Sequence, residues 1–366
     1  ENDAYVTIPK PEDNYFKKEK DVTDMKKAWL SNLSDLNVCS QKGLVEMFDS
    51  SIGASSVYMP YGGKYQLTPT QSMVAKLPVL KGKTDTVTMM SYGFDPYLST
   101  WSPYHGAIYA VVQSVAKIVA AGGDMTKIHL TFQEYFRRMT EDPKCWGEPL
   151  AALLGAYDAQ IGFGLSAIGG KDSMSGSFNE MDVPPTLVSF AVDVAKQQDI
   201  VTSELKAAGN KLVVFTINKD EYDLPDYASM MDSYAKITKL VNDGVLKSTY
   251  TIGFGGLAEA LSKMAFGNKL GVAVDESMEA AELFKPFYGE IVAEVAAEDM
   301  DKLNAPYRVC GTVTEAAEFT YKDMKVTMDE ALEAWTKPLE SVFPTRSGVE
   351  DKVIETGLFE TKDIHI

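Results

Sequence analysis

Cysteine and histidine are scarce, with three of each in 366 residues. Cys39, Cys145 and Cys310 stand at no metal-ligand spacing. An odd, sparse set reads as reduced thiols in a cytoplasmic protein, not as a disulfide framework. One of the histidines is the penultimate His365. That leaves little for a Ser-His-Asp or Cys-His nucleophile and as little for zinc. The sequence also lacks an apolar run of 18 residues, a signal peptide and any low-complexity tract, so nothing in it reads as a membrane span. Positive charge is in deficit: 35 Lys and Arg face 52 Asp and Glu, for a net charge of −17. Such a balance argues against nucleic acid or an anionic membrane as partner. Carboxylates, lysines and backbone N–H groups remain, a kit suited to holding phosphorylated small molecules. Local donors must then hold them against an unfavourable global field.

The chain is long enough for two domains, each with its own core. Residues 1–34 are polar, with Pro9, Pro11 and a lysine patch at Lys17, Lys18 and Lys20, and read as a connector or exposed arm. A first domain is expected over 35–200. It holds a strand at Thr86–Tyr92, a helix from about Gly106 to Ala121, a strand at Ile128–Phe132, a helix around 150–161 and a strand at Thr186–Val194. Ile108, Val111, Val112, Val115, Ile118 and Val119 supply the apolar stripe of the first helix; Gln113 and Lys117 lie four residues apart on its other face. A second domain is expected over 208–330, opening with the strand Lys211–Ile217. Gly253-Phe-Gly-Gly256 leads into a helix, and Gly253, Gly255 and Gly256 form a natural anion site at its N-terminus. Helices and strands alternate, which predicts an α/β fold with mixed sheets. Pro338, Pro344 and Gly348 break periodicity in 331–366, which read as a linker. A chain opening on Glu1 reads as a processed product or an excised fragment.

The densest chemistry lies in Ser166–Phe178, Ser-Ala-Ile-Gly-Gly-Lys-Asp-Ser-Met-Ser-Gly-Ser-Phe. Gly169 and Gly170 leave backbone N–H groups uncovered, Lys171 adds a cation, and Ser173 and Ser175 add hydroxyls beside Asp172. Such a loop suits a phosphate; the alternative is a tight polar turn between a helix and a strand. It is not a P-loop, since Leu165 stands where the first glycine is required and Asp172 where the hydroxyl should be. Gly62-Gly-Lys-Tyr65 is a second, weaker glycine-lysine turn.

Gly-Gly-Lys-Asp-Ser-Met-Ser-Gly resembles the signature of the large phosphoribosylformylglycinamidine synthases, in the second of their two halves, each similar to aminoimidazole ribonucleotide (AIR) synthetase. Gly43-Leu-Val-Glu-Met-Phe-Asp-Ser-Ser-Ile-Gly53, Pro103-Tyr-His-Gly-Ala107 and Gly255-Gly-Leu-Ala-Glu-Ala-Leu-Ser-Lys-Met-Ala-Phe-Gly267 support the resemblance, which covers roughly residues 34 to 322. It implies a two-domain AIR-synthetase-like fold and a share in an ATP-, magnesium- and glutamine-dependent ligase acting on formylglycinamide ribonucleotide. The implied partners are the first synthase half and a glutaminase domain. Gly169, Gly170, Lys171, Asp172, Ser173, Ser175, Gly253, Gly255 and Gly256 are then the expected phosphate- or nucleotide-binding residues.

The same resemblance shows losses. The family's histidine-bearing loop corresponds here to Phe94–Ser102, which has no histidine. Its magnesium ligands correspond to Lys76, Gln113, Lys117 and Thr251, none of them a carboxylate. The expectation is a half that keeps the fold and the glycine-lysine stretch, has no catalytic residue or metal of its own, and holds no tightly bound cofactor. The alternatives are a free-standing ATP-dependent small-molecule kinase of the same superfamily and a purely structural domain.

Overall fold

A computed structural model describes residues 5–345. Strands β1 (Ser72–Lys76), β2 (Thr86–Gly93), β3 (His129–Tyr135), β4 (Ala167–Lys171) and β5 (Thr186–Lys196) form a five-stranded mixed sheet in the order β1-β2-β5-β3-β4. Only β3 and β4 run parallel in it. The seven-stranded second sheet uses β6 (Lys211–Phe215), β7 (Leu246–Thr251), β8 (Gly271–Val274), β9 (Ile291–Val295), β10 (Tyr307–Thr314), β11 (Glu318–Tyr321) and β12 (Met324–Thr327) in the order β7-β9-β6-β10-β8-β11-β12. The chain leaves one sheet at Lys196 and enters the other at Lys211.

Helix α1 (Met25–Leu33) is capped by Asp24, whose carboxylate accepts from the Lys27 N–H. Helix α2 (Pro96–Trp101) is short, and α3 (Pro103–Ala121) follows it, capped by Ser102 and closed by Gly122 in the left-handed region. Almost every residue of α3 is buried, because it packs against the first sheet, against α4 (Pro143–Phe163) and against the second unit of structure. Gln113 is therefore buried, not laid on a polar face as the spacing predicts. Helices α5 (Tyr227–Asn242), α6 (Gly256–Phe266) and α7 (Met328–Glu340) belong to the second sheet.

Two expectations change. Residues 25–33 are helix, not exposed arm: Trp29 is fully buried between Phe284 and Phe319, and its Nε1 donates to Ser262 Oγ at 3.0 Å. A large aromatic drives that docking, since it buries area no polar arm can offer. Residues 328–340 are likewise helix despite Pro338, started by a capping box between Thr327 and Glu330. Trp335 anchors that helix against Phe266, its Nε1 donating to the Val38 carbonyl. The remainder of the expected linker, from 346 onward, lies outside the described residues.

The two sheets are covered differently. In β6 the side chains alternate between two cores: Leu212 and Val214 pack with α6, while Val213 and Phe215 pack with α3 and α5. Among the described residues, the first sheet has helices on one face only. Along β2, Val87, Met89 and Ser91 are buried while Met90 and Tyr92 are exposed.

Candidate functional site

Two places gather the expected residues. The first is the glycine-lysine stretch, which forms β4 at the edge of the first sheet instead of an open turn. Gly169 takes a φ of +137°, and a Cβ on Gly170 would stand 2.5 Å from the Phe132 carbonyl oxygen, so only glycine lets the strand approach β3 there. Pairing occupies part of the expected donor set. The Ser173 N–H donates to the Glu134 carbonyl at 3.1 Å, and the Ser173 carbonyl accepts from Phe136 N–H. Lys171 is exposed, its Nζ 4.9 Å from the centre of the Tyr135 ring, on the uncovered face of the sheet. Asp172 stands beside Glu134, a buried side chain of β3. Burial and the Asp172 charge push the Glu134 carboxyl up to about 7. Ser175 lies exposed just beyond.

The second place is a cavity of about 580 Å³ between the sheets, lined by Tyr92, Asp95, Gln113, Lys117, Gly253, Glu259 and Lys263 among others. Gln113 and Lys117 come from α3, one turn apart, and Gly253 from the loop before α6. The glycine-rich turn does not offer a free anion nest. The Gly255 N–H already donates to Glu259 Oε2 at 2.6 Å, and Glu259 Oε1 accepts from Lys263 at 2.5 Å. Gly256 adopts φ +71° against the Leu283 carbonyl, and its N–H donates to Gly253. Thr251 is buried, with its backbone N–H and carbonyl both taken by the Gln71 side chain. Lys76 lies at the far end of β1, outside the cavity lining, with its N–H on the Ser55 carbonyl.

The four residues at the implied metal positions are thus not one cluster: the cavity gathers Gln113 and Lys117 but not Lys76. It adds Glu259 and Lys263, the only charged residues of α6 and absent from the expected set. Two charges four residues apart in an otherwise apolar helix were the available signal. Burial brings Lys117 down to about 8. Its Nζ donates to the Tyr92 carbonyl at 2.7 Å. Among the described residues, no three His, Cys, Asp or Glu side chains gather as metal ligands.

Asp95 closes one wall. Its Oδ1 caps α2 by accepting from the Tyr97 and Leu98 N–H groups, and its Oδ2 accepts from the hydroxyls of Tyr15 at 2.6 Å and Tyr288 at 2.7 Å. The stretch Phe94–Ser102, expected as a loop, is largely the capped helix α2.

No family model matches the chain. It is 24% identical over 345 residues to phosphoribosylformylglycinamidine synthase subunit PurL of Thermococcus sibiricus, a match covering 86% of this chain and 46% of that protein. The structure superposes on T. maritima PurL complexed with FGAR at a TM-score of 0.63 and 14% identity, covering 85% of this chain and 53% of that one. The same protein complexed with ATP gives 0.62 and 14%, over 85% and 52%. The chain spans about half the length of the curated relatives it matches. It is similar to these synthase subunits over most of its length and shares their AIR-synthetase-like α/β fold.

Proposed function

We propose that this chain is the second AIR-synthetase-like half of a cytoplasmic ATP- and glutamine-dependent ligase that converts formylglycinamide ribonucleotide to the amidine. Of its two domains, expected over 35–200 and 208–330, each holds one sheet, while α1, α7 and residues such as Val38 and Tyr61 pack into the core of the second sheet. Its partners are a first synthase half and a glutaminase. The observation that carries the reading is the uncovered face of the first sheet, with the glycine-lysine stretch at its edge. Met73, Met90, Tyr92, Tyr135 and Val194 all lie exposed there, each more than 40% accessible. The cross-strand pairs Met73–Met90 and Tyr92–Phe190 place them on one surface. A contiguous apolar sheet face is a surface built for a partner. A first synthase half seated on it would bring its substrate beside Lys171.

In this reading Lys171 donates a charge-assisted hydrogen bond to a substrate phosphate, worth roughly 1.5–3 kcal/mol. Gly169 and Gly170 keep the backbone low beside it, and Ser173 and Ser175 offer hydroxyls. The magnesium that the resemblance implies does not fit the cavity donors. Magnesium wants near-octahedral oxygen ligands including a carboxylate or two. Gln113 supplies one amide, and Lys117 and Lys263 bring ammonium groups. The two carboxylates of the lining already accept hydrogen bonds on both oxygens, Asp95 from Tyr97, Leu98, Tyr15 and Tyr288 and Glu259 from Gly255 and Lys263. At ~4 Å and an effective dielectric near 20, each ammonium would repel each unit of cation charge by about 4 kcal/mol. Metal-dependent chemistry is therefore assigned to the rest of the synthase, which is where ATP would be used.

Complementation tests the reading. Incubated alone with ATP, formylglycinamide ribonucleotide and ammonium, the chain should release no ADP above background. Mixed with a separately produced first half, it should turn over at a rate of order ten per second. Turnover by the isolated chain would favour a free-standing enzyme, and silence of the mixture would remove the ligase reading.

A further inference from the structure

Helix α4 is built the wrong way round for a helix at the surface. Its inner face is made of small residues. Ala152 and Ala156 pack with Ala107 and Ala110 of α3, and a Cβ on Gly155 would stand 2.1 Å from the Tyr104 carbonyl oxygen. Its large apolar residues point outward: Trp146, Leu150, Leu153, Leu154, Tyr157 and Ile161 are each between 37% and 66% accessible. At about 100° per residue they fall within a stripe roughly 100° wide. From Lys144 to Ile161 the helix exposes eight positions, and the other two, Lys144 and Asp158, lie off that stripe. The outer face of a surface helix is ordinarily charged or polar. The nearby carboxylates do not supply that character, since Glu148 pairs with Arg137 at 2.7 Å and Asp158 accepts from the Tyr104 hydroxyl.

Among the described residues nothing covers the stripe. The N-terminal chain borders it: the Thr7 N–H donates to the Pro143 carbonyl at 3.1 Å, a Cβ on Gly147 would stand 1.9 Å from the Thr7 carbonyl oxygen, and Tyr5, Val6 and Ile8 are exposed. The six helix side chains expose about 600 Å², at ~200 Å² for each large side chain. Two copies of such a face would bury roughly 1,200 Å², the size at which specific interfaces begin, before Tyr5, Val6 and Ile8 are added.

The order of the residues fits a second copy. A twofold contact requires that residue i meet j while j meets i. Set a second α4 antiparallel, with the axis between Leu153 and Leu154. Trp146 then faces Ile161, Leu150 faces Tyr157 and Leu153 faces Leu154, each pair made twice. Every member of the stripe gains an apolar partner, and each aromatic ring meets an aliphatic side chain. The spacings of four, three and four residues from Trp146 to Tyr157 are those of a helix-pair seam.

We propose that two copies of this chain associate through the outer face of α4, antiparallel across that axis. The seam lies on the opposite side of the first sheet from its uncovered face, because α3 and α4 cover the sheet on the other side. The proposal does not depend on the ligase reading, and it leaves the open sheet face free for a first synthase half.

Sedimentation velocity of the chain at tens of micromolar, in low salt and again with added salt, tests it. A dimer should form, and because each copy carries a net charge of −17, salt should strengthen it. Leu154→Asp should raise its dissociation constant about a hundredfold or more, with the melting temperature unchanged because the residue is exposed in the single chain. Met90→Asp, on the open sheet face, should leave the dimer intact. Disulfide formation under mild oxidation reads the register, since the native cysteines are buried. Leu150→Cys and Tyr157→Cys chains should cross-link when mixed, and neither should cross-link with itself. A monomer, which would leave the stripe to a different protein or to chain outside the described residues, would overturn the proposal. So would a dimer that survives Leu154→Asp or one that Met90→Asp dissociates. Self-cross-linking of either cysteine variant, or none in the mixture, would overturn the antiparallel register.

Discussion

The first sheet and the second use the same kind of strand to different ends. In the second, both faces are packed: Leu212 and Val214 look into one core, Val213 and Phe215 into the other, and all four are essentially inaccessible. In the first, α3 seals one face, and methionine, tyrosine and valine side chains stand exposed on the other. Local β propensity does not separate the two, since both are rich in β-branched and aromatic residues. The difference separates a sheet packed on both faces from one that, among the described residues, is packed on one. The glycine-lysine stretch lies at the edge of the sheet packed on one face, and the cavity lies between the two sheets.

The covered sheet should tolerate least. Phe215→Ala removes a fully buried ring from the seam between the two sheets and should cost about 3–5 kcal/mol, read as a lower urea midpoint at unchanged slope. A loss under about 1 kcal/mol would mean that β6 is not the packed layer described.

Glu134 probes the boundary between the faces. Its carboxyl, raised to about 7 by burial and by Asp172, holds its proton more tightly in the folded chain than in the unfolded one. Its contribution therefore favours folding below about pH 4.5 and is lost as pH rises through about 7. Glu134→Gln should raise the melting temperature at pH 8 by about 2–4 °C and do little near pH 4.5. An equal shift at both values would place the effect in packing instead of charge.

Smallest of all should be the stability change from Met90→Asp on the open face, within about 0.5 kcal/mol in the isolated chain. The same substitution should abolish association with a first synthase half, measured by sedimentation. A severe loss of stability on its own would show that something in this chain already covers that face.

Much of this contrast is legible in the residues. The stripe from Ile108 to Val119 announces α3, and the run Thr186–Val194 announces β5 almost to its ends. Trp29 and Trp335 were harder, because each anchors a helix of mixed polar and apolar residues through one large side chain whose aromatic partners lie far away in the sequence. The Thr327–Glu330 capping box is a local helix signal that a reading of 331–366 from Pro338, Pro344 and Gly348 leaves out. At the site, Lys171 could be singled out locally. Lys263 could not, because its neighbours at the cavity come from α3, β2 and the segment that follows α1, brought together only by the fold. The uncovered face was equally hidden, since alternation reports two faces without saying which one is finished.

The most direct measurement is steady-state ADP release by the reconstituted ligase carrying Lys171→Ala, at saturating ATP and varied formylglycinamide ribonucleotide. The account predicts a fall of about one to two decades in kcat/KM, with the melting temperature of the isolated chain unchanged because Lys171 is exposed. A reconstituted enzyme that keeps its full kcat/KM without the Lys171 ammonium would contradict it.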